Sequence, residues 1–105
     1  MESLLVAICS VPNTETAGSL SDSILKDRLA ACVSQVRGVR SQYWWKEDLE
    51  TAEEIVLLIK TTSAQVEALK VHIQKNHPYE TPELLFLGVE DCLEVYGQWV
   101  RAEVR

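Results

Sequence analysis

The chain has 105 residues, 47% of them hydrophobic and 25% charged, which is the length of one domain and enough apolar material for a core without disulfide staples. Its formal net charge is −6 and no run of lysine or arginine occurs, so it lacks the basic stripe that neutralises nucleic-acid phosphates or docks on an anionic membrane. An acidic balance suits solubility and is compatible with cations.

Leu4 to Cys9 is a short continuous apolar run and reads as a buried strand. Ser10 to Asn13 breaks it, since Pro12 cannot continue a central ladder. Asn13 is a good N-cap, with Glu15 in the first turn to suit the helix dipole. Leu20, Ile24, Leu25 and Leu29 then recur at helical spacing, opposite Asp22, Lys26 and Asp27. This helix is expected to end between Leu29 and Ala31. A long extended segment runs from Cys32 or Val33 to about Trp45, with Gly38 marking a bulge or bend. Lys46-Glu47-Asp48 reads as a hairpin tip and Glu54 to Thr61 as the return strand. Thr62 and Gln65 have the spacing of a capping box, and Val66, Leu69 and Ile73 form one face of the second helix. Pro78 stops that helix, which puts His77 at or just beyond its end. Leu84 to Val89 is the fourth strand. Leu93, Tyr96, Trp99 and Val100 predict a short terminal helix, weakened by Gly97. The order is that of an α+β, ferredoxin-like split βαβ domain covering residues 1–105, with an antiparallel sheet and both main helices on one face.

Three strands carry apolar residues on both faces. Leu4, Val6 and Ile8 alternate with Leu5, Ala7 and Cys9 in the first. Ile55, Leu57 and Ile59 alternate with Val56 and Leu58 in the third, and Leu84 and Phe86 with Leu85, Leu87 and Val89 in the fourth. Strand side chains alternate with period two, so both faces must be covered, while two helices cover one. Each buried Leu, Ile, Val or Phe is worth about 1.5–3 kcal/mol, and monomers rarely leave such a patch open. A second copy of the chain is the simplest cover. The long second strand ending in Tyr43-Trp44-Trp45 also outruns its neighbours, and its far half can pair with another copy's edge. The terminal helix alone is too short to cover a whole sheet.

Thiolate and imidazole ligands suit copper and zinc, which makes Cys9, Cys32 and His77 the candidate ligands. A cysteine on an apolar strand is equally a small hydrophobe, and a histidine at a helix end is equally a cation favoured by the dipole. His72 falls on the flank of its helix and reads as solvated. In the segment His77 to Glu83, Pro78 and Pro82 fix the backbone and hold Tyr79, Glu80 and Glu83. With Lys60 and Trp45 these residues are candidates to line a cleft between subunits. The three cysteines are an odd count with no C-x-x-C pair, which predicts free thiols in a reducing compartment. Met1-Glu2-Ser3 lacks the basic start of a secretory signal, and Leu4 to Cys9 is too short to cross a bilayer, so a cytoplasmic location is expected.

Arg28-Leu29-Ala30-Ala31-Cys32-Val33, Tyr43-Trp44-Trp45-Lys46, Leu58-Ile59-Lys60-Thr61 and His77-Pro78-Tyr79-Glu80-Thr81-Pro82-Glu83 together resemble the CutA, or divalent-cation-tolerance, family. The resemblance runs from Val6 to Trp99. It implies a ferredoxin-like fold, a homotrimer with β pairing between subunits, and an association with tolerance of copper and other divalent metals. By the same resemblance, Cys9 and His77 match positions that bind copper in a family member. That member has a second histidine where this chain has Asn76. No Gly-rich phosphate loop, G-x-S-x-G or H-E-x-x-H occurs, so an enzyme is not expected. Two other readings are a trimeric small-molecule-binding signalling module of the PII type and a scaffold that anchors another protein. The chain lacks the long loop and basic cluster that nucleotide phosphates need.

Overall fold

The computed structural model describes residues 2–105. The elements are β1 (Leu4–Val11), α1 (Thr14–Lys26), β2 (Cys32–Trp45), β3 (Asp48–Thr62), α2 (Val66–Asn76), β4 (Leu85–Gly88) and α3 (Glu94–Glu103), with a 3-10 turn at Ser63–Gln65. The four strands form one antiparallel sheet in the order β2-β3-β1-β4. This is the ferredoxin-like arrangement.

Local chemistry sets most boundaries. Asn13 caps α1, its side chain accepting the Thr16 N–H at 2.8 Å. The helix stops at Lys26, earlier than the Leu29 to Ala31 expected from apolar spacing, because Arg28 turns left-handed with φ 58. The N–H groups of Arg28 and Leu29 then close back on the carbonyls of Leu25 and Ile24. Leu29 keeps its buried place from outside the helix. The β2–β3 hairpin turns on Lys46 and Glu47, both at positive φ (49 and 75), as a two-residue turn matching the strand twist requires. Gly38, at φ 71, sits in the register shift between Val36 and Val39. The return strand starts at Asp48 rather than Glu54, since the polar stretch Leu49 to Glu53 is held by pairing with the outer half of β2. The capping box does not form: Thr62 ends β3 as a buried strand residue and makes no side-chain cap bond.

The core lies on one face of the sheet. Ala7, Cys9 and Val11 of β1 and Leu57 and Ile59 of β3 pack against Leu20 and Ile24 of α1 and Leu69 and Ile73 of α2. The other face carries Val6, Ile8, Val56 and Leu58, all half-buried. Beside them Val36, Leu85 and Leu87 are 42%, 53% and 51% exposed. α3 crosses one end of this face. A Cβ on its Gly97 would stand 3.4 Å from Leu4 Cδ1 and 3.0 Å from Cys92 Sγ, so a glycine lets the helix and the preceding loop approach. Arg101 Nε donates to the Glu2 carbonyl at 2.8 Å, and Arg28 pairs with Glu103 at 3.3 Å, which ties α3 to the sheet end. The remainder of the face is open in a single chain. Among the described residues, no helix is long and apolar enough to cross a membrane.

Candidate functional site

The segment after α2 is built by hydrogen bonds from the backbone upward. His77 caps the helix, its N–H donating to the Ile73 carbonyl at 2.9 Å, and its side chain is buried. Its Nδ1 accepts the Tyr79 N–H at 3.1 Å, which assigns the ring proton to Nε2. That Nε2–H donates to the Ser10 carbonyl at 2.7 Å. The Tyr79 hydroxyl donates to Glu54 Oε2 at 2.8 Å, and the Ser10 hydroxyl donates to Glu83 Oε1 at 2.8 Å. Burial first, then the Glu54 hydrogen bond and charge, push the Tyr79 phenol above its usual range.

This turn and the outer half of the β2–β3 hairpin enclose a cleft of about 890 Å³. Tyr43, Trp44, Trp45 and Tyr79 supply its aromatic wall, and Glu50, Glu54, Glu80 and Glu83 supply its charge. Among the described residues no lysine, arginine or histidine lines it. Of the residues expected to line a cleft between subunits, Trp45, Tyr79, Glu80 and Glu83 meet here within one chain. Lys60 does not join them. It lies towards the other end of the sheet, opposite Val6 and Cys32 in the ladder. Tyr43, Trp44, Glu50 and Glu54 escaped the sequence reading. Tyr43 and Glu50 are a cross-strand pair, visible only once the return strand is known to start at Asp48.

Cys9 is fully buried in the core. Its thiol is pushed up to about 12, chiefly by burial and further by the charges of Glu83 and Glu54. A metal needs a thiolate and a free imidazole nitrogen. Cys9 has no exposed surface, and both nitrogens of His77 are engaged by backbone partners. Cys32 faces the Lys60 ammonium, whose Nζ donates to its sulfur at 3.6 Å, so a like charge stands where a metal cation would sit. Among the described residues no three His, Cys, Asp or Glu side chains converge as a ligand set. Cys9, His77 and Cys32 therefore do not fit a metal centre within one chain. His72 is not solvated as its helical position suggested. Only 12% of its side chain is exposed, and it bridges α2 to α1 through Ser23 Oγ at 2.8 Å and Asp27 at 3.7 Å.

Fold and cleft together define a ferredoxin-like binding domain with one open apolar sheet face and a carboxylate-walled cleft. Residues 5–103 match the family described as CutA1 divalent ion tolerance protein. A divalent-cation tolerance protein CutA of Pectobacterium atrosepticum is 41% identical over 101 residues, covering 96% of this chain and 92% of that one. The crystal structure of CutA1 from Oryza sativa superposes with a TM-score of 0.96 at 36% identity, covering 99% of this chain and 95% of that one. The divalent cation tolerance protein from Thermus thermophilus gives 0.94 at 32%, covering 97% and 99%. The chain belongs to the CutA1 divalent ion tolerance family.

Proposed function

We propose that the protein serves divalent-cation tolerance as a homotrimer in the cytoplasm, drawing cations to the carboxylate-walled cleft. One observation carries this reading: every charged side chain lining the cleft is a carboxylate. Such a wall attracts divalent cations and repels the phosphates of a nucleotide. Oxygen ligands take copper(II) and zinc as well as harder ions, so copper is kept in the reading as one of the cations the wall of Glu50, Glu54, Glu80 and Glu83 attracts by its charge, without a converged ligand set among the described residues of one chain. The open apolar face supports assembly. Three free thiols support a reducing compartment. Binding rather than catalysis agrees with the divalent ion tolerance family to which the chain belongs.

Calorimetric titration with copper(II) and zinc tests the assignment. Binding at micromolar concentration is expected in the wild type and in Cys9→Ala, with loss in the double variant Glu50→Gln, Glu83→Gln. Binding that survives in the glutamine variant and vanishes in Cys9→Ala would return the site to the thiol. A flat titration of the wild type would remove the metal reading.

A further inference from the structure

At the end of the sheet away from the cleft, Cys32 of β2 and Lys60 of β3 are directly opposed in the ladder. Directly paired residues present their side chains on the same face. Lys60 Nζ donates to Cys32 Sγ at 3.6 Å and also to the Ser34 hydroxyl. None of the ion pairs among the described residues involves Lys60. Its ammonium is held by a thiol and a hydroxyl.

The three cysteines occupy different surroundings. Cys9 is sealed in the core, Cys92 is exposed, and Cys32 is half-buried beside a cation. Reactive thiols are partly exposed and sit in positive surroundings, whereas buried structural thiols are inert. A sulfenic acid condenses with a thiol to a disulfide or with a backbone nitrogen to a sulfenamide, and a neutral lysine amine offers a more basic lone pair for the same attack. Nζ already lies against the sulfur.

We propose that Cys32 and Lys60 form a hydroperoxide-sensitive covalent switch that closes a reversible sulfur–nitrogen bond between β2 and β3. In the first step the thiol proton passes to solvent and the Cys32 sulfur attacks one peroxide oxygen. The O–O bond breaks, and the leaving hydroxide takes a proton from the Lys60 ammonium. The products are a sulfenic acid, water and a neutral amine. In the second step the Nζ lone pair attacks the sulfur and the S–O bond breaks. The departing hydroxide takes one N–H proton and leaves as a second water. Sulfur has lost two electrons to the peroxide, and the chain has lost the thiol proton and two of the three ammonium protons. An added thiol reverses the bond by attacking the sulfur, freeing the amine and leaving a mixed disulfide that a second thiol reduces.

The full chain is treated with hydrogen peroxide and mapped by mass spectrometry without reductant. A peptide joining Cys32 to Lys60 is expected. Dithiothreitol should abolish it, as should Cys32→Ser or Lys60→Arg, while Cys92→Ser should retain it. In Lys60→Arg the sulfenic acid should persist and be trapped by dimedone. In Lys60→Gln oxidation of Cys32 should slow by about tenfold or more, as loss of a proton donor to the leaving hydroxide predicts. Circular dichroism confirms that each variant is folded. A Cys32–Cys92 disulfide, oxidation confined to Cys92, or an intact Cys32 at full Cys92 oxidation would each overturn the proposal.

Discussion

Cys9 shows how one side chain can read as a ligand in sequence and as core filling in space. It pairs with Leu57 on the helix-covered face, and its thiol is raised from 9.0 to about 12. The folded state therefore holds this proton more tightly than the unfolded chain. That contribution to stability is complete below pH 9 and is lost as the pH rises from 9 towards 12. Burial also raises the phenols of Tyr79 and Tyr96, whose loss begins above their ordinary value of 10.0. The melting temperature should fall steeply above pH 9, and Cys9→Ala should flatten the fall between pH 9 and 10. An unchanged slope in that variant would assign the alkaline loss elsewhere. Tyr79 carries a second prediction. Its hydroxyl is the hydrogen-bond donor recorded for the buried Glu54 carboxylate. Tyr79→Phe strips that partner from a group shielded from water, which should cost about 1–3 kcal/mol in urea denaturation.

At the scale of elements, the apolar runs and the punctuation were legible. Pro12, Asn13 and Pro78 act locally, through a missing N–H, a cap or a neighbour's steric clash, so the sequence shows what they do. What escaped depends on partners far along the chain. Leu49 to Glu53 looks like loop because its strand character comes from pairing with β2. Thr62 has the right neighbour for a capping box, but the sheet claims it first. Trp45, Tyr79, Glu80 and Glu83 meet within one chain through the hairpin and the proline turn, whereas Lys60 stands at the other end of the same sheet, a separation set by ladder register that is invisible in a single strand. The hairpin tip offers a test of this local bookkeeping. Lys46 and Glu47 both hold positive φ, where a non-glycine residue costs about 1–2 kcal/mol. Lys46 has a return on that strain, its Nζ lying 5.6 Å from the Trp45 ring centroid. Among the described residues Glu47 makes no side-chain hydrogen bond or ion pair, so Glu47→Gly should stabilise by about 0.5–1 kcal/mol. The midpoint of denaturation should rise with an unchanged m-value. A fall would show that Glu47 makes a contact in the assembled protein.

The whole molecule presents an imbalance that one chain does not resolve. α1 and α2 seal one face of the sheet, and α3 covers only an end of the other. Leu85 and Leu87 sit on β4, an edge strand of four residues, on the same face as Val6, Ile8 and Leu58. A free edge flanked by exposed leucines invites pairing with another chain. The hairpin projects past the sheet with the Trp44–Leu49 pair 73% and 60% exposed. These two surfaces are apolar and lie on different parts of the chain, which suits a head-to-tail contact that closes into a ring. Sedimentation should give three times the 11.8 kDa of the chain. Leu85→Glu with Leu87→Glu puts two carboxylates on the open apolar face, where among the described residues Lys60, opposite Val6, is the cation beside them in the ladder. That variant should sediment as a folded monomer of 11.8 kDa, with loss of the trimer peak. A wild type that stays at 11.8 kDa across micromolar concentrations would mean that water tolerates this face, and that the cleft works within a single chain.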